Sequence, residues 1–385
     1  MVKFAHMSDV HLGGWKQKPL QDLNFQSFQK AMEISINEKV DFLLVVGDLF
    51  DTAYPPIEIL KETFAEFKKL KDSGIPCFLI SGSHDYSVSG KTFLDVLEKS
   101  GFCKNVSIFE DDGKTLLLKP TKHGNVTFYG YPGKKSGLDV ADLKRLKLEE
   151  SSGFKILMLH TTIDKVVGNL PIEYVEADSL PYSDYCALGH IHVKMKYKNF
   201  VYPGPVFPNN FAELEDLECG SFSIYDSNLP NPFRSVDLKI KDIEKISIHV
   251  KNGVSATDEI ISEIGKRNVA DKIVLLRISG ELENSKTSDI KFAQVEEFAK
   301  QKGAYFLLKN THNLKMKEVE IESEIEKSEN VEEETIILHS KQNPSSFDDK
   351  IETLINSFSI EKQEGETSET FSKRLIDESR KILNF

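Results

Sequence analysis

The order of apolar and polar positions changes character twice along the 385-residue chain. Val2 to Met7 reads as a short strand, Leu23 to Glu38 has helical spacing, and Phe42 to Val46 is a continuous apolar run ending at Gly47-Asp48. Pro55-Pro56 then opens a helix with Ile57, Leu60, Phe64, Phe67 and Leu70 on one face, closed by Gly74. Pro76 to Ile80 follows as a strand. Alternating strands and helices predict a parallel sheet covered on both faces, because parallel neighbours need a crossover and the crossover is usually a helix. After Gly101 short apolar runs separated by Gly, Pro and Asp take over: Val106–Phe109, Leu116–Leu118, Val126–Tyr129, Lys155–Leu159, Tyr185–Leu188, Phe200–Tyr202 and Ser221–Tyr225. They predict a second sheet packed on the first.

A smaller β-α-β-α-β pattern comes next. Strands are predicted at Lys245–Val250, Lys272–Ser279 and Tyr305–Lys309, and helices at Ala256–Arg267 and Ile290–Lys302. The Glu-rich run Glu318 to Glu334 predicts a solvated linker. Helical periodicity returns through Phe347, Ile351, Leu354, Ile355 and Phe358, then Phe371, Leu375, Ile376 and Leu383. Two short amphipathic helices cannot bury their apolar faces alone, so they either fold back on the body or dock on another protein. The expected organisation is an α/β domain over 1–238, a small α+β domain over 239–310, an acidic linker over 311–346 and a helical segment over 347–385.

Composition narrows the function. With 39% hydrophobic and 29% charged residues, the chain can bury a core without disulfide or metal staples. The four cysteines form no Cys-x-x-Cys pair, which argues against a zinc ribbon or a disulfide framework and fits a reducing compartment. No apolar run approaches the roughly 18 residues of a membrane span. The start of the chain lacks a signal-peptide pattern, so a cytoplasmic protein is expected. No Gly-x-x-x-x-Gly-Lys-Ser/Thr loop is present, so any ATP dependence would have to come from a partner. The net charge of −12 counts against a nucleic-acid partner. However, residues 311–385 hold about 18 acidic and about 10 basic side chains, roughly two-thirds of the excess, and the rest is near balance.

Metal-ligand residue types recur just after predicted strands: Asp9 and His11, then Asp48, then Ser83-His84-Asp85, then His160, then His190 and His192. In open α/β sheets this edge is where ligands bind. Singly, each has a bland reading as a turn residue or a satisfied core histidine. Jointly they supply more ligands than one ion needs. Imidazoles and carboxylates without thiolates suit Mn²⁺, Fe²⁺ or Zn²⁺. A carboxylate bridging two such ions clamps an in-line displacement at phosphorus.

The ordered set Asp-x-His, Gly-Asp, Gly-Ser-His-Asp, His and Gly-His-x-His resembles the calcineurin-like metallophosphoesterases. Ser8-Asp9-Val10-His11-Leu12-Gly13, Gly47-Asp48-Leu49-Phe50-Asp51, Pro76 to Leu97 and Tyr202-Pro203-Gly204 resemble, more narrowly, the double-strand-break repair nucleases of the SbcD/Mre type. The resemblance implies a two-sheet α/β/β/α sandwich with a small capping domain and a helical tail. It implies a Mn²⁺-dependent DNA exonuclease and endonuclease with two Mn²⁺ ions. Asp9, His11 and His192 would hold one ion, His160 and His190 the other, and Asp48 would bridge them. His84 would stabilise the transition state and help protonate the leaving oxygen, and Asp85 would orient His84. It implies an SMC-like coiled-coil ABC ATPase as partner through residues 347–385. It also implies a homodimer to which Leu94 and Leu97 contribute, although apolar residues of such helices are more often core. Ser83 stands where the family has Asn and would reach the second ion through water or by a backbone shift. Pro205 stands where the family often has serine. A phosphoesterase acting on phosphoproteins or nucleotides and a non-catalytic binding subunit are the alternative readings.

Overall fold

In the computed structural model, which describes residues 1–85, 92–134, 137–168, 172–283, 285–316, 350–358 and 368–383, the chain opens as alternating strands and helices. These are β1 (Lys3–Met7), α1 (Lys18–Asn37), β2 (Phe42–Val46), α2 (Ile57–Asp72), β3 (Cys77–Ile80), α3 (Phe93–Lys99) and β4 (Lys104–Asn105). Short strands follow: β5 (Phe109–Asp111), β6 (Leu116–Leu118), β7 (Thr121–His123) and β8 (Val126–Tyr131), then α4 (Leu138–Leu143) and β9 (Leu146–Leu148). The next stretch is β10 (Phe154–His160), α5 (Asp164–Val167), β11 (Tyr185–Gly189), β12 (Lys194–Tyr197), β13 (Phe200–Pro203), α6 (Phe211–Leu217), β14 (Gly220–Asp226) and β15 (Phe233–Leu238).

The strands make two six-stranded sheets. The first has the order β15-β14-β1-β2-β3-β4 and the second β12-β13-β11-β10-β8-β7. β1, β2 and β3 are parallel, as are β8, β10, β11 and β13, so each sheet presents an edge of carboxyl-terminal strand ends. The period-2 alternation of strands divides their side chains. Ala5, Met7, Leu43 and Val45 pack among α1, α2 and α3, while Phe4, Phe42, Leu44 and Val46 face the second sheet. The interface between sheets is aromatic. Phe128 of β8 stacks on Phe78 with ring centroids 4.0 Å apart and meets Phe42 edge-on at 5.1 Å. The outer face of the second sheet is covered in turn by α4 and a three-stranded sheet, β5-β6-β9. This is the layered α/β/β/α sandwich expected of the family.

A further parallel sheet follows: β16 (Ile243–His249), α7 (Gly253–Gly265), β17 (Ile273–Leu282), α8 (Phe292–Gln301) and β18 (Phe306–Met316), in the order β16-β17-β18. One face packs under α7 and α8. The other sets Ile273, Leu275, Phe306 and Leu308 against Trp15, Leu20, Leu23, Phe211 and Leu214. β18 runs beyond the expected boundary at residue 310, because a bulge at Arg277/Ser279 lets Asn313 to Met316 keep pairing with β17. All of this lies within one compact unit, Met1–Met316. In a second unit, Lys317–Phe385, α9 (Ile351–Phe358) and α10 (Ser368–Leu383) contact each other. The whole Glu-rich run and Phe347 lie outside the described residues, as do residues 86–91. None of the described helices is long and apolar enough to cross a membrane.

Three expectations need correction. The runs after Gly101 do not all join the second sheet: Leu116–Leu118 forms β6 of the three-stranded sheet, and Ser221–Tyr225 lies in β14, beside β1 in the first sheet. Val106 is not in a strand; it is fully buried between β4 and β5, in the core between the two large sheets. Leu94 and Leu97 are 3% and 0% exposed and belong to the core under α3, so they offer no surface to a second copy. The outward apolar residue of α3 is Val96.

Phe128→Ala should cost about 3–5 kcal/mol of folding stability, as for other large buried aromatics cut to alanine. Chemical denaturation measures this, and a loss below about 1 kcal/mol would show that the aromatic stack does not hold the sheets together.

Candidate metal centre

Every ligand-type residue singled out in the sequence leaves a parallel strand at the same edge. Asp9 and His11 follow β1, Asp48 follows β2, Ser83-His84-Asp85 follow β3, His160 ends β10, and His190 and His192 follow β11. The backbone there is unusual. Asp9, His11, Asp48 and His190 have φ of 52°, 46°, 52° and 95°, a region that costs an L-residue about 1–2 kcal/mol. The loops hold one another in it: the Asp9 N–H donates to the Gly47 carbonyl at 3.2 Å, and the Val10 and His11 N–H groups both donate to the Asp48 carbonyl at 2.9 Å.

Three groups of side chains converge. Asp9, His11 and His192 form one, His11, Asp48 and His84 a second, and Asp48, His160 and His190 a third, each with ligand atoms within 4.8 Å of one another. His11 is common to the first and second, and Asp48 to the second and third. His11 Nε2 and His192 Nε2 face each other at 3.1 Å, and Asp9 Oδ1 is 3.7 Å from His192 Nε2. Asp48 Oδ2 is 3.1 Å from His160 Nε2 and 3.8 Å from His11 Nε2. Asp9, His11, Asp48 and His160 are buried, His190 and His192 half-buried, and His84 is at the mouth.

These donors fit cations. His160 donates Nδ1–H to the Val46 carbonyl at 2.9 Å, so its Nε2 holds a lone pair when the ring is neutral. That Nε2 is buried, has no hydrogen-bond partner and faces the Asp48 carboxylate. Two facing lone pairs at such a distance need a cation or a proton between them. Burial alone would favour a neutral His160, but the Asp48 carboxylate outweighs it and lifts the imidazole to about 10. Burial would raise Asp48, yet His160 first, and then His11, hold it far below the usual carboxylate range. A divalent ion would satisfy the same electrostatic demand with the ring neutral.

The loop after β3 departs from the expected roles in one respect. Asp85 does not touch the His84 ring. Its buried carboxylate accepts the N–H groups of Leu49 (3.2 Å), Phe50 (3.1 Å) and Gly82 (3.0 Å), so it fixes the backbone that carries Asp48. Burial and the neighbouring Asp48 charge push Asp85 up to about 6 despite these amides. His84 is held instead by Asp51: its Nδ1–H donates to the Asp51 carbonyl at 2.8 Å, with Asp51 Oδ1 at 3.6 Å. The His84 N–H donates to Asp48 Oδ1 at 2.8 Å, and Ser83 Oγ lies 3.5 Å from Asp48 Oδ2.

Two carboxylates were not identified as site residues from the sequence. Asp51 Oδ1 is 3.2 Å from His11 Nδ1, and Glu213 Oε2 is 3.0 Å from His192 Nδ1. Asp51 stood within a quoted motif without a role. For Glu213 the available signal was Asn210-Phe211-Ala212-Glu213, an Asn-x-x-Glu helix start that marks where the chain enters α6.

Gly47 leaves no room for a side chain. A Cβ there would sit 2.1 Å from His160 Nδ1, and its φ of 82° suits glycine. Gly47→Ala should lower stability by about 1–2 kcal/mol through the backbone alone and displace the His160 ring. A thermal stabilisation by divalent cations is expected of the wild-type protein and should be absent in this variant. An undiminished Mn²⁺-induced shift in melting temperature would contradict this packing.

The sequence profile of the calcineurin-like phosphoesterases matches residues 2–194, which include all of these ligand-type residues. The DNA double-strand break repair protein Mre11 of Methanosarcina acetivorans is 25% identical over 321 residues, 79% of this chain and 49% of its own length. The protein of the same name from Methanocaldococcus jannaschii is 27% identical over 317 residues, 77% of each chain. An uncharacterized metallophosphoesterase of Bacillus subtilis, YhaO, is 27% identical over 245 residues, 60% of this chain and 58% of its own. The chain spans about half the length of the Methanosarcina relatives. With half of its length matched by the family profile and its imidazoles and carboxylates gathered at one sheet edge, this chain belongs to the calcineurin-like phosphoesterase family.

Proposed function

We propose that the chain is a Mn²⁺-dependent nuclease that hydrolyses DNA phosphodiesters in double-strand-break repair. Membership of the family makes it a phosphoester hydrolase with a divalent-metal site. The observation that carries the finer reading is the convergence of two carboxylates and five imidazoles in three linked groups, in a chain similar over most of its length to proteins named for break repair.

In this reading Asp9, His11 and His192 hold one ion, His160 and His190 the other, Asp48 is shared, and Ser83 stands beside the second. When bound, the ions supply Lewis acidity toward phosphoryl oxygens and neutralise charge developing at phosphorus. Asp48 is fixed for its shared role by the His84 amide and by the loop that Asp85 gathers. His84 is anchored through Nδ1–H and 46% exposed, so that as an imidazolium it would donate its second proton from Nε2 to a substrate oxygen and leave it on the departing one. Exonuclease and endonuclease action both need only that a phosphodiester reach this edge. Residues 347–385 would dock on an SMC-like coiled-coil ABC ATPase. A homodimer would form on α2 and α3, where Ile57 and Val96 are exposed.

Purified protein should degrade DNA with Mn²⁺, and Asp48→Ala or His84→Ala should each lower the rate at least about 100-fold. Full activity in both variants would sink the site assignment. Faster hydrolysis of phosphopeptides or nucleotides than of DNA in the same screen would sink the substrate assignment. Ser83→Asn supplies a carbonyl ligand in place of a short hydroxyl, so half-maximal activity should need less Mn²⁺. An unchanged titration would rule out a role for Ser83 beside the second ion.

A further inference from the structure

Of the four imidazoles at the centre, two have a carboxylate on the nitrogen that points away from it: His11 has Asp51 and His192 has Glu213. Glu213 is unusual because nothing in the proposed chemistry requires it and it comes from a different element, the first turn of α6. Its carboxylate is held from several sides. Oε2 accepts the Asn209 N–H at 2.8 Å and lies 3.0 Å from His192 Nδ1, and Oε1 accepts the Asn210 Nδ2–H at 2.6 Å. The Glu213 N–H donates to the Asn210 side chain at 3.0 Å, a reciprocal cap of α6. The loop before it is pinned by Trp15, whose Nε1–H donates to the Pro208 carbonyl at 2.9 Å. Two residues on, Glu215 pairs with Arg277 of β17, and the Arg277 guanidinium lies over the Phe211 ring at 5.1 Å. The carboxylate is therefore a fixed acceptor.

A neutral imidazole carries one proton, and the acceptor beside it decides where. We propose that Glu213 is a positioning residue that keeps the His192 proton on Nδ1 and so reserves Nε2 for the cation shared with Asp9 and His11. The proposal rests on the reading of His192 as an ion ligand. The Asn209 and Asn210 N–H groups both donate to the carboxylate oxygens, and His192 Nδ1 approaches one of them to 3.0 Å, so Glu213 stands as an acceptor. The reciprocal cap accounts for the contacts of Glu213 with Asn209 and Asn210. The 3.0 Å approach to His192 goes beyond capping, and its geometry is that of an outer carboxylate behind a metal-binding histidine.

Glu213→Gln separates the two roles. The amide can keep the cap, but it removes the formal negative charge beside Nδ1, so the tautomer that leaves Nε2 free for a cation loses its support. Mn²⁺ titration calorimetry on the full chain should show two binding steps. His192→Ala should remove one, and Glu213→Gln should weaken the same step about 10–100-fold with little change in the melting temperature of the metal-free protein. Asn210→Ala should lower that melting temperature by a few degrees and leave the Mn²⁺ titration as in wild type. Long-range ¹⁵N NMR of the wild-type chain loaded with diamagnetic Zn²⁺ should find His192 protonated on Nδ1, a test independent of whether any variant folds. Wild-type Mn²⁺ affinity in Glu213→Gln, equal weakening in Asn210→Ala, or an Nε2–H tautomer in wild type would each overturn the proposal and leave the ion site standing. A wild-type titration in His192→Ala would overturn the ligand reading and the proposal with it.

Discussion

The centre depends on one hydrogen bond between the two large sheets. His160 closes a strand of the second sheet, and its Nδ1–H reaches the carbonyl of Val46, which closes a strand of the first. The bond fixes the ring, its tautomer and the spacing of the sheets at the edge where the ligand loops begin. Asp48, two residues beyond Val46, then meets Nε2 of the same ring. The pair can approach only because neighbouring positions lack side chains: a Cβ on Gly189 would strike the Val46 carbonyl at 2.2 Å. Away from the site, the stack of Phe42, Phe78 and Phe128 sets the same spacing with apolar area. Packing in the core and geometry at the site are thus one constraint expressed twice.

The charge distribution explains why such a centre has to work with cations. Asp9, Asp48, Asp51, Asp85 and Glu213 crowd one small region, and the protein as a whole is acidic. A phosphate oxygen brought within about 4 Å of one carboxylate would meet a repulsion of roughly 4 kcal/mol at the effective dielectric of a protein surface. Four imidazoles do not offset that when neutral. Divalent ions between the carboxylates and a phosphodiester reverse its sign, so that the local field favours an anion although the net charge does not.

The α/β order of the first eighty residues was legible because each strand is a continuous apolar run and each helix carries an apolar face at regular spacing. The ligand-type residues were legible because they sit directly after those runs. What sequence reasoning missed depends on contacts without a local signature. Asp85 lies next to His84 along the chain, but the turn aims it at three amides of the loop after β2, while Asp51, far off in sequence, receives the His84 ring. Glu213 sits in a seven-residue helix too short for its periodicity to stand out. β12 and β15 are exposed edge strands whose lysines, aspartate and serine hide the strand pattern. Leu94 and Leu97 could be read as surface or core, and only the packing of α3 on the first sheet decides.

The left-handed backbone at Asp9, His11, Asp48 and His190 has a thermodynamic corollary. A disordered polypeptide seldom visits that basin at four separated positions together, so the chain loses the arrangement entirely on unfolding. Any ion gripped there recognises the native state alone and drags the folding equilibrium toward it. Divalent-cation supply would then govern how much of the protein survives in folded form, as well as how fast each folded molecule turns over.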